Sequence, residues 1–331
     1  MRVAAFSIKP YDRASLGAAA AGLPLEWSWL EPRLDAGTAR LAEGATAVNC
    51  FVNDDLGAAT LERLVAEGVR LVTLRCAGFN QVDLEAAARL GVSVTRVPEY
   101  SPHAVAEHTI GLILTLDRRL HKAYNRVREG NFSLDGLLGF DLHGRTVGIV
   151  GVGRIGRRVA EILLGFGCRV LAHDMRPAAD LVARGVDYVP LETLFAASDI
   201  VTLHCPLTPA NHHLIDARAI DLMRPGVMIV NTSRGGLVDT PAVIQGLKSG
   251  RIGHLGLDVY EEEADLFFAD RSGSVISDDT FMRLLTFPNV VVTAHQAFFT
   301  RDALDAIAAQ TVRNLMHFQR GEPLEAVVPR A

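Results

Sequence analysis

The sequence predicts a two-domain α/β protein built on parallel sheets. Two observations carry that reading. Apolar β-like runs alternate with helical segments along the chain, the pattern of strands linked by crossover helices. A glycine-rich turn, Gly151-Val-Gly153-Arg-Ile-Gly156, joins one such run to an amphipathic helix and opens a second series of strands. A length of 331 residues with a 49% hydrophobic share is long for one core and suits two.

Taken in order, Val3–Ile8, Ala47–Val52, Leu71–Cys76 and Val92–Val97 read as strands, with Ala58–Glu67 and Leu84–Leu90 as intervening helices. The Ala/Gly-rich patch Gly17–Gly22 reads as helix and turn. A long helix is expected from about His103 to Arg128, started by Ser101-Pro102. From Thr146 a second series has strands ending near Gly151, Asp174, Cys205, Ser233, Asp258 and His295, the six strands of a dinucleotide-binding sheet. The final helix, about Asp302 to Arg320, needs a partner, and the first domain is short of covering helices. The first domain is therefore expected to be discontinuous, residues 1–100 and 299–331, with residues 101–298 inserted into it.

The glycine spacing has a physical logic. Gly151 permits the tight turn, Gly153 lets backbone approach a pyrophosphate, and Gly156 lets the helix sit close on the strand. Arg154 and Ile155 begin the helix, whose N-terminal N–H groups face the anion. The next strand, Cys168-Arg-Val-Leu-Ala-His-Asp174, ends in a carboxylate 18 residues after Gly156, near the separation of about 20 expected for a group that holds the adenosine ribose hydroxyls. Asp174 repels a 2′-phosphate, so NAD(H) is favoured over NADP(H), although Arg176 leaves mixed use open.

Composition excludes other classes. The formal charge of −5 and the absence of a Lys/Arg cluster argue against nucleic acid, and Arg118, Arg119 and Lys122 read as a solvated helix face. The opening Met1–Pro10 has no signal-peptide pattern and no apolar run of membrane-spanning length occurs, so no membrane association and a soluble, cytoplasmic protein are expected. Cys50, Cys76, Cys168 and Cys205 lack metal or redox spacing and read as reduced thiols. The adjacent His212 and His213 are expected to point apart, so no metal site is expected.

Three strand ends carry chemistry. Arg234 follows the apolar strand Val227–Val230, an acidic run Asp258-Val-Tyr-Glu-Glu-Glu263 follows Ile252–Leu257, and His295 ends Val290–Ala294. Open α/β sheets bind ligands at such ends. Hydride delivery to a 2-keto acid needs an arginine fork on the carboxylate and a histidinium to protonate the developing alkoxide. A glutamate bonded to the imidazole orients it and keeps its acid form populated. Arg234, Glu263 and His295 are the residues expected in those roles.

The motifs Gly-Val-Gly-Arg-Ile-Gly, Asn231-Thr-Ser-Arg-Gly-Gly-Leu-Val-Asp239, Gly256-Leu-Asp-Val-Tyr-Glu-Glu-Glu263 and Thr293-Ala-His-Gln-Ala-Phe298 resemble those of the D-isomer-specific 2-hydroxyacid dehydrogenases, over essentially the whole length. Asp265-Leu-Phe-Phe268 and Val275-Ile-Ser-Asp-Asp-Thr-Phe281 are similar to its D-lactate dehydrogenase branch. The resemblance implies a Rossmann-type NAD domain inserted into a flavodoxin-like substrate domain. It also implies NADH-dependent reduction of pyruvate, with closure of the domains over the substrate. Choosing Glu263 over Glu261 and Glu262 rests on the family's spacing from Asp258. By the same resemblance Cys76, Ala77, Gly78 and Tyr100 meet the substrate. Cys205, Pro206, Asn211, Thr232, Ser233 and Asp258 line the cofactor beside His295. Phe51 and Phe298 read as aromatic walls favouring a small side chain, or as core. Ala294 and Gln296 depart from many relatives but not at the proton transfer. A homodimer is implied, with the helix after Pro102 as its interface, and a tetramer stays open. The alternatives are another substrate (glyoxylate, hydroxypyruvate or a bulkier acid), or a nucleotide-sensing corepressor on the same fold.

Overall fold

The computed structural model describes residues 1–263 and 266–328. Asp265 of the Asp-Leu-Phe-Phe segment and the last three positions of the expected 299–331 segment lie outside the described residues. The chain divides into two compact units, Met1–Ser101 with the chain from Phe299 onward, and Pro102–Phe298.

The first unit contains β1 (Arg2–Ala5), α1 (Pro10–Ala19), β2 (Glu26–Trp29), β3 (Ala47–Cys50), α2 (Ala58–Ala66), β4 (Leu71–Leu74), α3 (Leu84–Arg89) and β5 (Ser93–Thr95). They form a parallel five-stranded sheet in the order β2-β1-β3-β4-β5. The inner strands β1, β3 and β4 are buried on both faces, as an all-parallel sheet requires. Ala4, Val48 and Val72 join Leu61 and Leu64 on one face, while Val3, Ala47 and Leu71 join Leu315 on the other. The strand β2 is absent from the sequence reading. It is a half-exposed edge whose Trp27 and Trp29 stack with centroids 4.7 Å apart.

The second unit begins with α4 (Pro102–Asp117) and α5 (Leu120–Arg128). The single long helix expected here is two helices. Arg119 adopts φ +50°, a left-handed conformation that interrupts the helix. The sheet strands are β6 (Thr146–Val150), β7 (Arg169–His173), β8 (Asp187–Tyr188), β9 (Ile200–Leu203), β10 (Val227–Asn231), β11 (Ile252–Leu257) and β12 (Val290–Val292). Between them run α6 (Arg154–Gly165), α7 (Ala179–Ala183), α8 (Leu191–Ala197), α9 (Ala217–Leu222), α10 (Thr240–Ser249) and α11 (Asp279–Leu285). The sheet is parallel and seven-stranded, in the order β12-β11-β10-β9-β6-β7-β8. The strand beyond the six expected is the two-residue β8, paired to Leu171 and Ala172. Order reverses between β6 and β9, and the crevice outside that switch point is where such sheets bind nucleotides.

The chain then closes with α12 (Arg301–Arg320), which packs on α1 in the first unit. Thr300 caps it by accepting a hydrogen bond from the Ala303 N–H at 3.2 Å, and Gly321 at φ +69° ends it. Among the described residues no helix is long and apolar enough to cross a membrane. All four cysteines are free.

The guanidinium of Arg75 is enclosed in the first unit. Arg75, only 2% exposed, donates to the Phe6 and Ser7 carbonyls at 2.9 Å and to Asn49 Oδ1 at 3.2 Å. Its Nε lies 3.5 Å from Asp12 Oδ1, and its guanidinium stands 5.0 Å over the Phe51 ring. Burial lifts the Asp12 carboxyl above its ordinary range, while the Arg75 charge pulls the other way. Arg75→Met leaves Asp12 buried without its counter-charge and is expected to cost about 3–5 kcal/mol, read from chemical denaturation. Adding Asp12→Leu should recover part of that loss; a single variant as stable as the parent would dismiss the pair as a structural element.

Candidate active site

The glycine turn is built against β9. Gly151, at φ +89°, lies so close to the next strand's end that an added Cβ would meet Cys205 N at 2.6 Å. An added Cβ on Gly156 would meet the Gly151 carbonyl at 2.1 Å, so the helix can approach the turn only without a side chain. Gly153 is different: nothing lies within 4 Å of where its Cβ would be. That open face, the N-terminus of α6 at Arg154 and half-buried Ile155 just inside it give a phosphate room and donors.

Asp174 is tied into the same turn. Its Oδ2 accepts from Val152 N at 2.7 Å and its Oδ1 from Arg176 N at 3.0 Å. A cavity of about 320 Å³ opens here, lined among others by Gly153, Asp174, His204, Cys205, Pro206 and Asn211. Asn211 donates to the Pro206 carbonyl at 2.8 Å and the Ser233 hydroxyl donates to the Cys205 carbonyl at 2.6 Å, which fixes the cavity's far wall. Burial, with the Asp174 charge adding to it, holds the Cys205 thiol above its ordinary range, so the wall is uncharged. The glycine turn, ribose-type carboxylate and enclosed mostly apolar wall fit a dinucleotide.

The second cluster sits at the ends of β10, β11 and β12. His295 Nδ1 lies 2.6 Å from Glu263 Oε1, and Glu263 Oε2 accepts from Tyr260 N at 3.0 Å. The pair is mostly buried, at 20% and 16% side-chain exposure. The imidazole is presented by an unusual turn, with Ala294 at φ +51° and His295 at φ +58°. Asp258, 1% exposed, holds that turn. Its Oδ1 accepts from Thr293 Oγ1 at 2.6 Å and Gln296 N at 2.8 Å, and its Oδ2 accepts from Ala297 N at 3.0 Å. Asp258, expected as a cofactor contact, also holds the histidine loop with its carboxylate.

Arg234 is half-buried and donates from Nη1 to the Ser233 carbonyl at 2.7 Å. Asn231 shapes its turn, donating to the Arg234 carbonyl at 2.8 Å and accepting from Ser233 N at 3.0 Å. Gly235 packs directly on the Tyr260–Glu261 backbone, so the arginine turn and the turn leading to Glu263 are neighbours. Thr232 joins its hydroxyl to that of Thr109 on α4 at 2.9 Å. Phe298 stands edge-on to His295 with centroids 6.5 Å apart.

Two neighbours of the site have no role assigned from the sequence. Phe268 lies 5.6 Å from the His295 ring. His108 on α4 lies 2.9 Å from Thr293 Oγ1 and 3.5 Å from Asp258 Oδ1. Phe268 is marked only by the family-like Asp-Leu-Phe-Phe segment, without a role, and His108 has no signal beyond membership of a helix. The expectation that His212 and His213 point apart is overturned: their rings stack with centroids 3.9 Å apart. The left-handed backbone of His213, φ +54°, undoes the divergence that neighbouring residues of an extended chain would show.

Phe51, Cys76, Ala77, Gly78 and Tyr100 belong to the first unit. The Cys76–Gly78 loop follows β4. Its carbonyls accept from Val97 N at 3.2 Å, Arg96 Nη1 at 2.8 Å and the Cys76 thiol at 3.2 Å, in order from Cys76 to Gly78. Phe51 is buried beneath Arg75, with its N–H held by Asp54 Oδ2 at 2.6 Å.

His204 supplies a test of the crevice itself. Burial pulls its imidazole down from an ordinary 6.5 to about 3, and its Nε2 pairs with Thr202 Oγ1 at 2.9 Å. As pH falls below 6.5 the unfolded imidazole gains a proton that the folded one refuses, so stability is lost progressively down to about 3. His204→Asn is expected to flatten the slope of unfolding free energy against pH across that window. An unchanged slope would place the ring in water.

Comparison with known proteins agrees with this geometry. Residues 110–297 match the model of the "D-isomer specific 2-hydroxyacid dehydrogenase, NAD binding domain" family. The chain is 51% identical to the D-lactate dehydrogenase of Escherichia coli strain K12, over 97% of this chain and 98% of that one. A structure described as the pyruvate reductase of Chlamydomonas reinhardtii superposes with TM-score 0.92 at 45% identity, covering 98% of each chain. The D-lactate dehydrogenase of Aquifex aeolicus, complexed with NAD and lactic acid, superposes with TM-score 0.86 at 34% identity over 97% of this chain and 96% of that one. With a parallel-sheet unit carrying an NAD-type glycine turn and a histidine–glutamate pair at its strand ends, the chain belongs to the D-isomer-specific 2-hydroxyacid dehydrogenases, NAD-dependent oxidoreductases.

Proposed function

We propose that this dehydrogenase reduces pyruvate to D-lactate with NADH, reversibly. The observation that carries the reading is the His295–Glu263 pair, 2.6 Å apart, set beside the arginine turn at the carboxyl ends of the sheet. The names of the similar proteins, a pyruvate reductase and D-lactate dehydrogenases, support pyruvate as the acid. The aromatic rings of Phe268 and Phe298 beside the imidazole favour a small substrate side chain.

The nicotinamide, when bound, supplies the hydride. The residues proposed to hold the cofactor are the Gly151–Gly156 turn with Arg154 and Ile155, Asp174 at the adenosine ribose, and Cys205, Pro206, Asn211, Thr232, Ser233 and Asp258 toward the nicotinamide. Glu263 accepts the Nδ1 proton of His295, which fixes the ring and leaves Nε2 to donate to the substrate's C2 oxygen. Arg234 takes the carboxylate and polarises the carbonyl. In the first unit, Ala77 and Gly78 are proposed to present N–H groups to a substrate carboxylate, their carbonyls being engaged by Arg96 and the Cys76 thiol. Cys76, Tyr100, Phe51 and Phe298 are proposed to complete the substrate contacts.

His295→Ala should lower turnover roughly 10²- to 10⁴-fold, the range for a lost general acid, while leaving NADH binding intact. Arg234→Lys should raise the pyruvate KM, since a point charge cannot reproduce the fork. Measured across keto acids, kcat/KM is expected to be highest for pyruvate, with D-lactate as product. A higher value for glyoxylate, hydroxypyruvate or a bulkier acid would reassign the substrate, and NADH binding without turnover on any of them would favour a nucleotide sensor.

A homodimer formed through the second unit is also proposed. Leu120, Tyr124 and Val127 on α5, with Phe132, Leu134 and Leu138 after it, are large apolar side chains left exposed, Leu138 by 89%. Sedimentation should give a dimer that Phe132→Ser with Leu138→Ser shifts toward monomer; a dimer indifferent to both would move the interface elsewhere.

A further inference from the structure

We propose that His212, His213 and Glu261 bind a divalent transition-metal ion, with Zn²⁺ the best match. The site lies outside the proposed catalytic residues. His212 Nε2 and His213 Nε2 each lie 3.0 Å from Glu261 Oε1, and His213 Nε2 lies 3.0 Å from Oε2 as well. One ligand atom from each residue falls within 4.8 Å of the others.

The donor set selects the ion. Two imidazole nitrogens and a carboxylate suit zinc and its neighbours, whereas magnesium and calcium prefer oxygen alone. Metal–nitrogen and metal–oxygen distances of about 2.0–2.2 Å subtend ligand edges of about 3 Å at a right angle and about 3.4 Å at the tetrahedral angle. The 3.0 Å from each imidazole nitrogen to Glu261 Oε1 equals the right-angle edge and lies about 0.4 Å inside the tetrahedral one. The two rings lie 28° from parallel with each Nε2 3.0 Å from one carboxylate oxygen, and a rotation about the Cβ–Cγ bonds would turn both lone pairs onto one ion. Side-chain exposures of 50%, 34% and 29% allow that rotation, admit the ion and leave a position for water.

The scaffold behind these side chains is braced. The His213 N–H donates to the Gly236 carbonyl at 2.8 Å, and Gly235 packs on the Tyr260–Glu261 backbone. The same backbone turns into Glu263, whose Oε2 is held by Tyr260 N. An ion therefore clamps the His212–His213 turn to the acidic turn, across the two glycines that follow Arg234. Without metal, the imidazole N–H groups donate to the carboxylate. The ion displaces those protons, to Nδ1 or to solvent, so its affinity weakens on acidification.

The full chain, stripped with EDTA and desalted, is titrated with Zn²⁺ by calorimetry and with Co²⁺ by its visible d–d absorption. One equivalent per chain is expected, and Zn²⁺ should raise the unfolding temperature. His212→Phe and Glu261→Gln, each checked for folding by circular dichroism, should weaken binding more than about tenfold. His295→Asn should bind the ion as the parent does. Absence of binding at sub-millimolar metal, affinity unchanged in His212→Phe and Glu261→Gln, or loss of the ion in His295→Asn would each overturn the proposal.

Discussion

The buried carboxylate of Asp258 is the constraint on which the candidate active site depends. Ala294 and His295 both occupy left-handed backbone, a conformation that costs about 1–3 kcal/mol for each non-glycine residue. Against this, one carboxylate accepts from Thr293 Oγ1, Gln296 N and Ala297 N, and bonds to a charged group are each worth about 1.5–3 kcal/mol. The hydrogen bonds win, and the turn is held in a shape that the sheet alone would not impose. His108 approaches the same carboxylate from α4 and stays neutral at ordinary pH because burial lowers its basicity more than Asp258 raises it. The charge of Asp258 is thereby reserved for the turn.

The nucleotide crevice follows from topology. Strand β6 has β7 on one side and β9 on the other, so the loops leaving β6 and β9 diverge and open a space at the switch point. The close approach of Gly151 to Cys205 N closes the floor of that space, and the open face of Gly153 leaves its mouth to an anion. His204, neutral, and Cys205, kept as thiol, add no charge to the floor. The favourable field for phosphates then comes from the N–H groups at the start of α6, where Arg154 also stands.

Periodicity made most of this legible before any coordinates. The apolar runs of both sheets are patterns that burial dictates, the glycine turn is one that close backbone approach dictates, and the arginine and histidine stand out because they follow apolar runs. What escaped is short or local. Strand β2, Glu-Trp-Ser-Trp, is a half-exposed edge with no continuous apolar run, and β8 is an edge of 2 residues. The break between α4 and α5 is invisible because Leu116 and Leu120 keep a helical apolar spacing across it. What interrupts the helix is tertiary: Asp117 is buried and accepts the Phe140 N–H at 2.6 Å, which turns the following residues out of register. Arg119 therefore terminates a helix where a solvated helical face was expected.

The acidic run shows most plainly where sequence stops and structure begins. Glu261, Glu262 and Glu263 are chemically identical neighbours, and in the sequence only the spacing from Asp258 that the family resemblance implies separates them. In the fold they diverge. Glu263 turns back to accept the Tyr260 N–H and so aims its second oxygen at His295. Glu261 faces the two stacked histidines, and Glu262 lines a separate cavity with Arg271 and Asp278. The sorting is set by backbone, because Gly235 crowds the Tyr260–Glu261 peptide so closely that a Cβ there would meet the Tyr260 carbonyl carbon at 2.1 Å. A side chain at position 235 would push the acidic turn away and move two of the three carboxylates off their partners at once. The glycine after Arg234 thus positions the proposed proton-transfer pair as firmly as it permits the arginine's own turn.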